Sequence, residues 1–223
     1  MDGSDAGDNW DMGRAGLRVD SISRSSEMTL SAEVYSGSVR AAYLSSGDGS
    51  FDRLQDDGSV SGGFVSSQVV LRHSPSNSTR GIVSVDHAER ASDLFGEERT
   101  TCSVDVQNQH QRGRHDVVAG GWARINSIDL RGSAAVDFLD EIDQDTVLSA
   151  FVQDDITLSD DWSVMMGLKL ENNSLSPNAI EVMPSLRALW RWHENHSAWS
   201  AVTRAVRTPS WGDTVISLSG LAP

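Results

Sequence analysis

Hydrophobic residues in this chain recur at every second position far more often than at every third or fourth. Trp162, Val164, Met166, Leu168 and Leu170 alternate with Ser163, Met165, Gly167, Lys169 and Glu171. A strand has period two, so the segment reads as a ribbon with one apolar and one polar face. The same alternation recurs along the chain. Met28, Leu30, Ala32 and Val34 alternate with Thr29, Ser31 and Glu33. Val65, Val69 and Leu71 alternate with Ser66, Gln68 and Arg72. Leu148, Ala150, Val152, Ile156 and Leu158 alternate with Ser149, Gln153 and Asp155. Ile180, Val182, Leu186, Ala188 and Trp190 alternate with Glu181, Arg187 and Arg191. Most polar faces carry full charges and therefore face water.

Strands are predicted at 10–22, 27–43, 62–74, 79–90, 99–111, 115–126, 146–158, 162–172, 180–192 and 197–206. The fold class is all-β, an antiparallel up-and-down meander of about ten long strands. Most run over roughly 11–15 residues, against about 5–6 for a soluble strand and about 9–11 for a tilted strand crossing a bilayer. The predicted connections alternate in length. Short ones fall at "ISRSSE", "SPSNS", "QRGR", "SDD" and "HEN"; longer ones at 44–61, "ASDLFGEER", 127–145 and "NNSLSPNA". In a meander, alternate turns lie at opposite ends of the sheet. One end then carries tight turns and the other extended loops, as in outer-membrane barrels.

Four tryptophans reinforce that reading. Trp162, Trp190, Trp192 and Trp199 all lie beside predicted short turns. Indoles favour the membrane interface, being apolar with one N–H donor, so these four are candidates for an aromatic girdle. Two residues break the alternation. Asp154 falls on the apolar face, where a midplane charge is costly. Pro184 falls inside a strand, where it forfeits a ladder hydrogen bond.

Composition refines this picture without overturning it. Mean hydropathy is −0.33, but a transmembrane barrel alternates residue types and averages hydrophilic. No apolar run reaches the roughly 18 residues of a transmembrane helix. The N-terminal "MDGSDAGDNWDMG" lacks the basic start and apolar core of a signal peptide. A net charge of −14 argues against a nucleic-acid partner. Cys102, the only cysteine, rules out an internal disulfide or thiolate cluster and is read as a small buried or lipid-side residue.

Chemical motifs are weak. "HENH" (His193, Glu194, His196) sits on a tight turn. "DFLDEIDQD" (Asp137, Asp140, Glu141, Asp143, Asp145) lacks the glycine and spacing of a calcium loop. Asp154 and Asp155 are adjacent in a strand, so they point to opposite faces and cannot share a substrate. No phosphate loop, dinucleotide fingerprint or nucleophile elbow appears, so no cofactor, metal site or catalytic residue is assigned.

Residues 148–210 carry a resemblance. "FVQDDITL", "GLKLENN", "MPSLRALW" and "AWSAVTRAVRTPS", in that order, resemble the barrel of TonB-dependent outer-membrane receptors. "NWDMGRAGLRVD" (9–20) resembles an earlier strand of the same barrel. "PSLR" fits the family pattern and makes Pro184 less anomalous. The resemblance implies a barrel of about 22 strands closed by an N-terminal plug. It also implies import of a ferric siderophore, haem, cobalamin or similar scarce nutrient, powered through TonB, with the bacterial outer membrane as location. Residues 1–223 are then expected to be one partial barrel region, with the signal peptide, plug, TonB box and terminal strands absent. The partners so implied are outer-membrane lipid, the plug and TonB system of the intact receptor, and a small metal chelate or nutrient. Strand parity would turn Arg187, Arg191 and Arg204 toward the lumen. The alternatives are a small porin, a soluble lectin-like sheet protein and an omptin-like barrel protease. The protease would need Asp–His and Asp–Asp pairs at the rim, and neither His87 nor His115 has an obvious carboxylate partner in the sequence.

Overall fold

The computed structural model describes residues 9–47, 50–133, 136–138, 144–207 and 216–218, with backbone only at 41–47, 50–55, 136–138 and 216–218. Its strands are β1 (Asn9–Ile22), β2 (Ser26–Gly47), β3 (Ser50–Ser74), β4 (Asn77–Ala91), β5 (Gly96–Arg112) and β6 (His115–Arg131). They continue with β7 (Val136–Phe138), β8 (Gln144–Thr157), β9 (Trp162–Asn173), β10 (Glu181–His193), β11 (His196–Thr203) and β12 (Ile216–Leu218). Ten of them form one antiparallel sheet in the order β1-β2-β3-β4-β5-β6-β8-β9-β10-β11, while β7 and β12 pair separately. The ten-stranded meander expected from the alternation is therefore the observed fold.

Two predicted loops are ladder instead. Pairing of β2 with β3 continues to Gly47↔Ser50, so most of 44–61 is strand. Pairing of β4 with β5 continues to Ala91↔Gly96, leaving only 92–95 between them. The polar sequence of these arms suggested loops because alternation is the signal for a strand, and a strand polar on both faces has none. The tight-turn end is as expected, with connections at 23–25, 75–76, 113–114, 158–161 and 194–195. The turn at 113–114 works because Gly113 adopts φ 63°, a left-handed conformation that a side chain disfavours.

Pro184 is accommodated by its position. The Arg204 amide donates to the Pro184 carbonyl at 3.0 Å. In an antiparallel ladder a residue's N–H and C=O point to the same neighbour. The missing donor of Pro184 therefore faces β11 just where that strand ends, and the β9 side of the ladder is unaffected.

The sheet has almost no core. Among described residues the buried hydrophobics are Ile128 and Val147. Leu148, Val152, Met166, Leu168, Leu170, Val182 and Leu186 are each 40–50% exposed, all on one face. A single sheet cannot cover its own apolar face, and an apolar surface spread over ten strands far exceeds what a soluble monomer exposes. Shape is set within the ladder. On the opposite face the Phe151 ring covers Gly120, where an added Cβ would lie 2.9 Å from Phe151 Cε1 and 2.5 Å from the Val106 carbonyl oxygen.

Replacing Gly113 by Val is expected to cost about 1–2 kcal/mol, the penalty for a branched residue at positive φ, with Gly113→Asn close to neutral. Urea unfolding in detergent micelles, followed by far-ultraviolet circular dichroism, measures the difference.

Candidate functional site

Cross-strand partners share a face, so the registers sort every side chain onto one of two surfaces. One surface is an apolar band. It runs from Leu17 and Val19 of β1, through Leu30, Val69, Val83, Val104, Ala123, Val152 and Leu168, to Leu186 and Val202. Cys102 stands on it, exposed, between Val85 and Ile125, the lipid-side alternative of the sequence reading.

The other surface is charged and internally paired. Arg18 bridges Asp20 at 2.9 Å, Arg72 bridges Glu27 at 2.5 Å, and Lys169 bridges Glu171 at 2.7 Å. Thr101 donates to Asn126, which donates to the buried Asp145, linking β5, β6 and β8. The Arg124 guanidinium lies 5.2 Å from the Trp122 ring centroid. Among the described residues Arg99 Nε, Arg124 Nε and Asp105 Oδ1 on this face are shielded from solvent yet have no hydrogen-bond partner, as is Asp154 Oδ1 on the apolar face. Such groups are costly to leave unmade, so this face is suited to polar contact with another surface.

Arg187 and Arg191 both stand on the charged face, opposite Ala201 and Ser197 of β11. Arg187 borders a groove of about 660 Å³ shared with Asp155, Met165, Leu189, Trp199 and Thr203. Arg204 departs from the expectation. It follows Pro184 in the ladder, on the apolar parity, and its guanidinium turns to the Val182 carbonyl and to Glu181, at 3.1 Å, at the far end of β10 from Arg191.

The tryptophans divide in the same way. Trp162 and Trp190 pair across β9 and β10 on the apolar face, their rings stacked at 5.4 Å and 10°. Trp192 lies 5.0 Å from Trp190 and also against His196. Trp199 pairs with Leu189 and therefore stands on the charged face.

A single irregularity accounts for both Trp199 and Arg204. The ladder between β10 and β11 starts at His193↔His196 but resumes at Arg191↔Ser197, one residue out of step. The bulge absorbs Trp192 and rotates the rest of β11 by one position, which exchanges its faces. An unbroken register would have placed Trp199 opposite Trp190.

Asp154 is explained by its height. His115 Nδ1 lies 2.7 Å from Asp154 Oδ2, on the apolar face close to the tight-turn rim. The charge thus has a partner near the interface, whereas Asp155 faces the other way, opposite Asp116. The pair has no nucleophile or second carboxylate pair around it among the described contacts. Of the acidic run, Asp145 is part of the Asn126 network; the side chains of Asp137, Asp140, Glu141 and Asp143 lie outside the described residues. Among described residues no cluster of His, Cys, Asp and Glu is arranged to hold a metal, and no helix is long and apolar enough to cross a membrane.

Glu181, 5% exposed, begins β10, where Asn178 and Arg204 donate to its carboxylate.

Comparison with known proteins agrees with this geometry. The family model described as "TonB dependent receptor-like, beta-barrel" matches residues 2–220. No curated protein matches the chain. Among solved structures, the siderophore receptor PirA from Pseudomonas aeruginosa superposes with a TM-score of 0.55 at 12% identity, over 93% of this chain and 41% of that one. At that identity the likeness concerns the fold alone, and the chain spans about two-fifths of the receptor's length.

Proposed function

This chain belongs to the TonB-dependent receptor β-barrel family, and from that premise we propose that it forms part of the wall of an energy-coupled outer-membrane transporter. Family members are transporters rather than enzymes and reside in the outer membrane of Gram-negative bacteria. The observation that carries the reading is the division of one continuous sheet into an apolar face, uncovered over ten strands, and a charged face. Lipid is the partner that satisfies the first. A polar insert or aqueous lumen satisfies the second. Among the described residues the outer edges of β1 and β11 are unpaired, which in a bilayer would cost several kcal/mol per unmatched backbone group. The sheet is thus suited to continue into further strands of a larger barrel.

On this reading Arg187, Arg191 and the unpartnered polar atoms of Arg99, Asp105 and Arg124 meet the plug or line the channel. The cargo class is a ferric siderophore or a similar scarce nutrient, a reading supported by the family and by the likeness to a siderophore receptor. Trp162, Trp190 and Trp192 mark the periplasmic interface.

Native Cys102 tests the wall. In liposomes it is expected to react at least about tenfold more slowly with a water-soluble maleimide than a cysteine at its charged-face neighbour in Cys102→Ser/Ser103→Cys. Equal rates at the two adjacent positions would remove the membrane assignment. For the cargo, deletion of the gene is expected to lower TonB-dependent uptake of radio-iron presented on siderophores. Uptake unchanged across a panel of siderophores would count against that ligand class and leave the wall assignment standing.

A further inference from the structure

The chain carries a net charge of −14, yet one part of its apolar face ends in basic residues. Arg112 and His115 are the last cross-strand pair before the Gly113–Arg114 turn, and His110 pairs with Val117 on the same face. Arg114 is held over the neighbouring hairpin, donating from Nη1 to the Leu158 carbonyl at 2.9 Å. Asp154 takes the Nδ1 side of the His115 ring, which is about half exposed, and leaves Nε2 as its free nitrogen. Around this turn the one carboxylate on the apolar face is Asp154, already engaged by His115. Asp116 points to the other surface, where Gln109 and Gln111 bind it, and Asp160 and Asp161 follow Leu158 in the adjoining turn that Arg114 reaches.

The height of this cluster decides what it meets. His115 pairs with Ile156, and Ile156 pairs with Val164, two residues from Trp162. Arg112, Arg114 and His115 therefore sit level with the Trp162–Trp190 stack, the height at which indoles mark the lipid headgroup region. From there the wall rises through small side chains. Ala119, Gly121 and Ala123 of β6 run beside Val106 and Ala150, and open into a shallow apolar hollow of about 390 Å³ bordered by Val104, Leu148 and Leu170. From Val117 to Ala123 is about 20 Å of strand, which at a tilt of about 45° covers roughly 14 Å of depth, one leaflet of a core about 30 Å thick.

We propose that this rim and trough form a binding site for an anionic phospholipid. The phosphate sits among Arg112, Arg114 and His115, and an acyl chain lies along the small-residue track of β6. The site rests on the wall assignment and adds to it a lipid preference localised to one hairpin. The side chains divide the work. The arginines supply charge and donors for phosphate oxygens. Asp154 fixes the ring of His115, which donates from Nε2 to the same group when both ring nitrogens carry protons. The small residues keep the track open for the chain.

The test is native mass spectrometry of the purified chain in dodecylmaltoside micelles, titrated with palmitoyl-oleoyl phosphatidylglycerol or phosphatidylcholine. Wild type is expected to retain phosphatidylglycerol at least about fivefold better, the scale expected for basic residues at a membrane surface. The preference should fall to near parity in Arg112→Gln/Arg114→Gln and survive in Arg187→Gln/Arg191→Gln, which alters the opposite face at the same end. Arg112→Gln alone, whose side chain makes no described bond in the fold, gives the same comparison if the double variant does not fold. Equal retention of the two lipids by wild type, or a preference that survives loss of Arg112, overturns the site. Because Cys102 shielding is measured separately, a chain that inserts normally yet shows no lipid preference refutes this site alone.

Discussion

Backbone hydrogen bonding between neighbouring strands is the interaction on which everything else in this protein rests, because there is so little packing to share the task. A soluble domain of this length would hold its strands together by burying side chains between layers. Here Ile128 and Val147 are the only buried hydrophobics among the described residues. Each strand from β2 to β10 other than β7 is held by ladders on both sides. Each such bond contributes only about 0.5–1.5 kcal/mol net in water, but in lipid the alternative is an unsatisfied polar group costing several kcal/mol. The medium thus converts a weak preference into a strong constraint. The same constraint explains where Pro184 is tolerated and why Gly113 and Gly120 stand where turn and sheet would refuse a side chain.

The ladder also determines what each face can do. Registers carried across ten strands keep the aliphatic band on one surface and pairs such as Arg72–Glu27 and Lys169–Glu171 on the other. Exposed pairs such as Arg18–Asp20 add little stability by themselves. Their larger effect is to keep the charged surface compatible with water or a polar insert. The shielded, unpartnered atoms of Arg99, Asp105 and Arg124 stand out against that background. The apolar surface is graded by height. Its middle is aliphatic, while its tight-turn rim gathers the tryptophan stack, the His115–Asp154 pair and the basic residues around Gly113.

Much of this was legible in the residues themselves, element by element. Ten predicted strands coincide with ten observed ones, and the long apolar faces are where alternation placed them. The misreadings share a cause. The arms around Gly47 and Ala91 looked like loops because strands polar on both faces carry no alternation. Asp154 looked anomalous because its partner, His115, is 39 positions away in the chain. Trp199 and Arg204 were assigned to the wrong faces because parity was carried unbroken through a turn where the structure has a bulge. A bulge at Trp192 leaves no mark that a period-two pattern can detect, since β11 is short and mixes Ala, Ser and Val with its tryptophan.

Local chemistry therefore specified the strands that carry one apolar face, and which side of its own strand each of their residues occupies. Both follow from the period of a single extended chain and need no knowledge of neighbours. Alignment between strands is a different matter, since it depends on turn length, bulges and the cumulative register of the whole sheet. Only the assembled ladder could bring His115 to Asp154, set Arg112 level with Trp162, and turn Trp199 away from the stack its sequence position suggested.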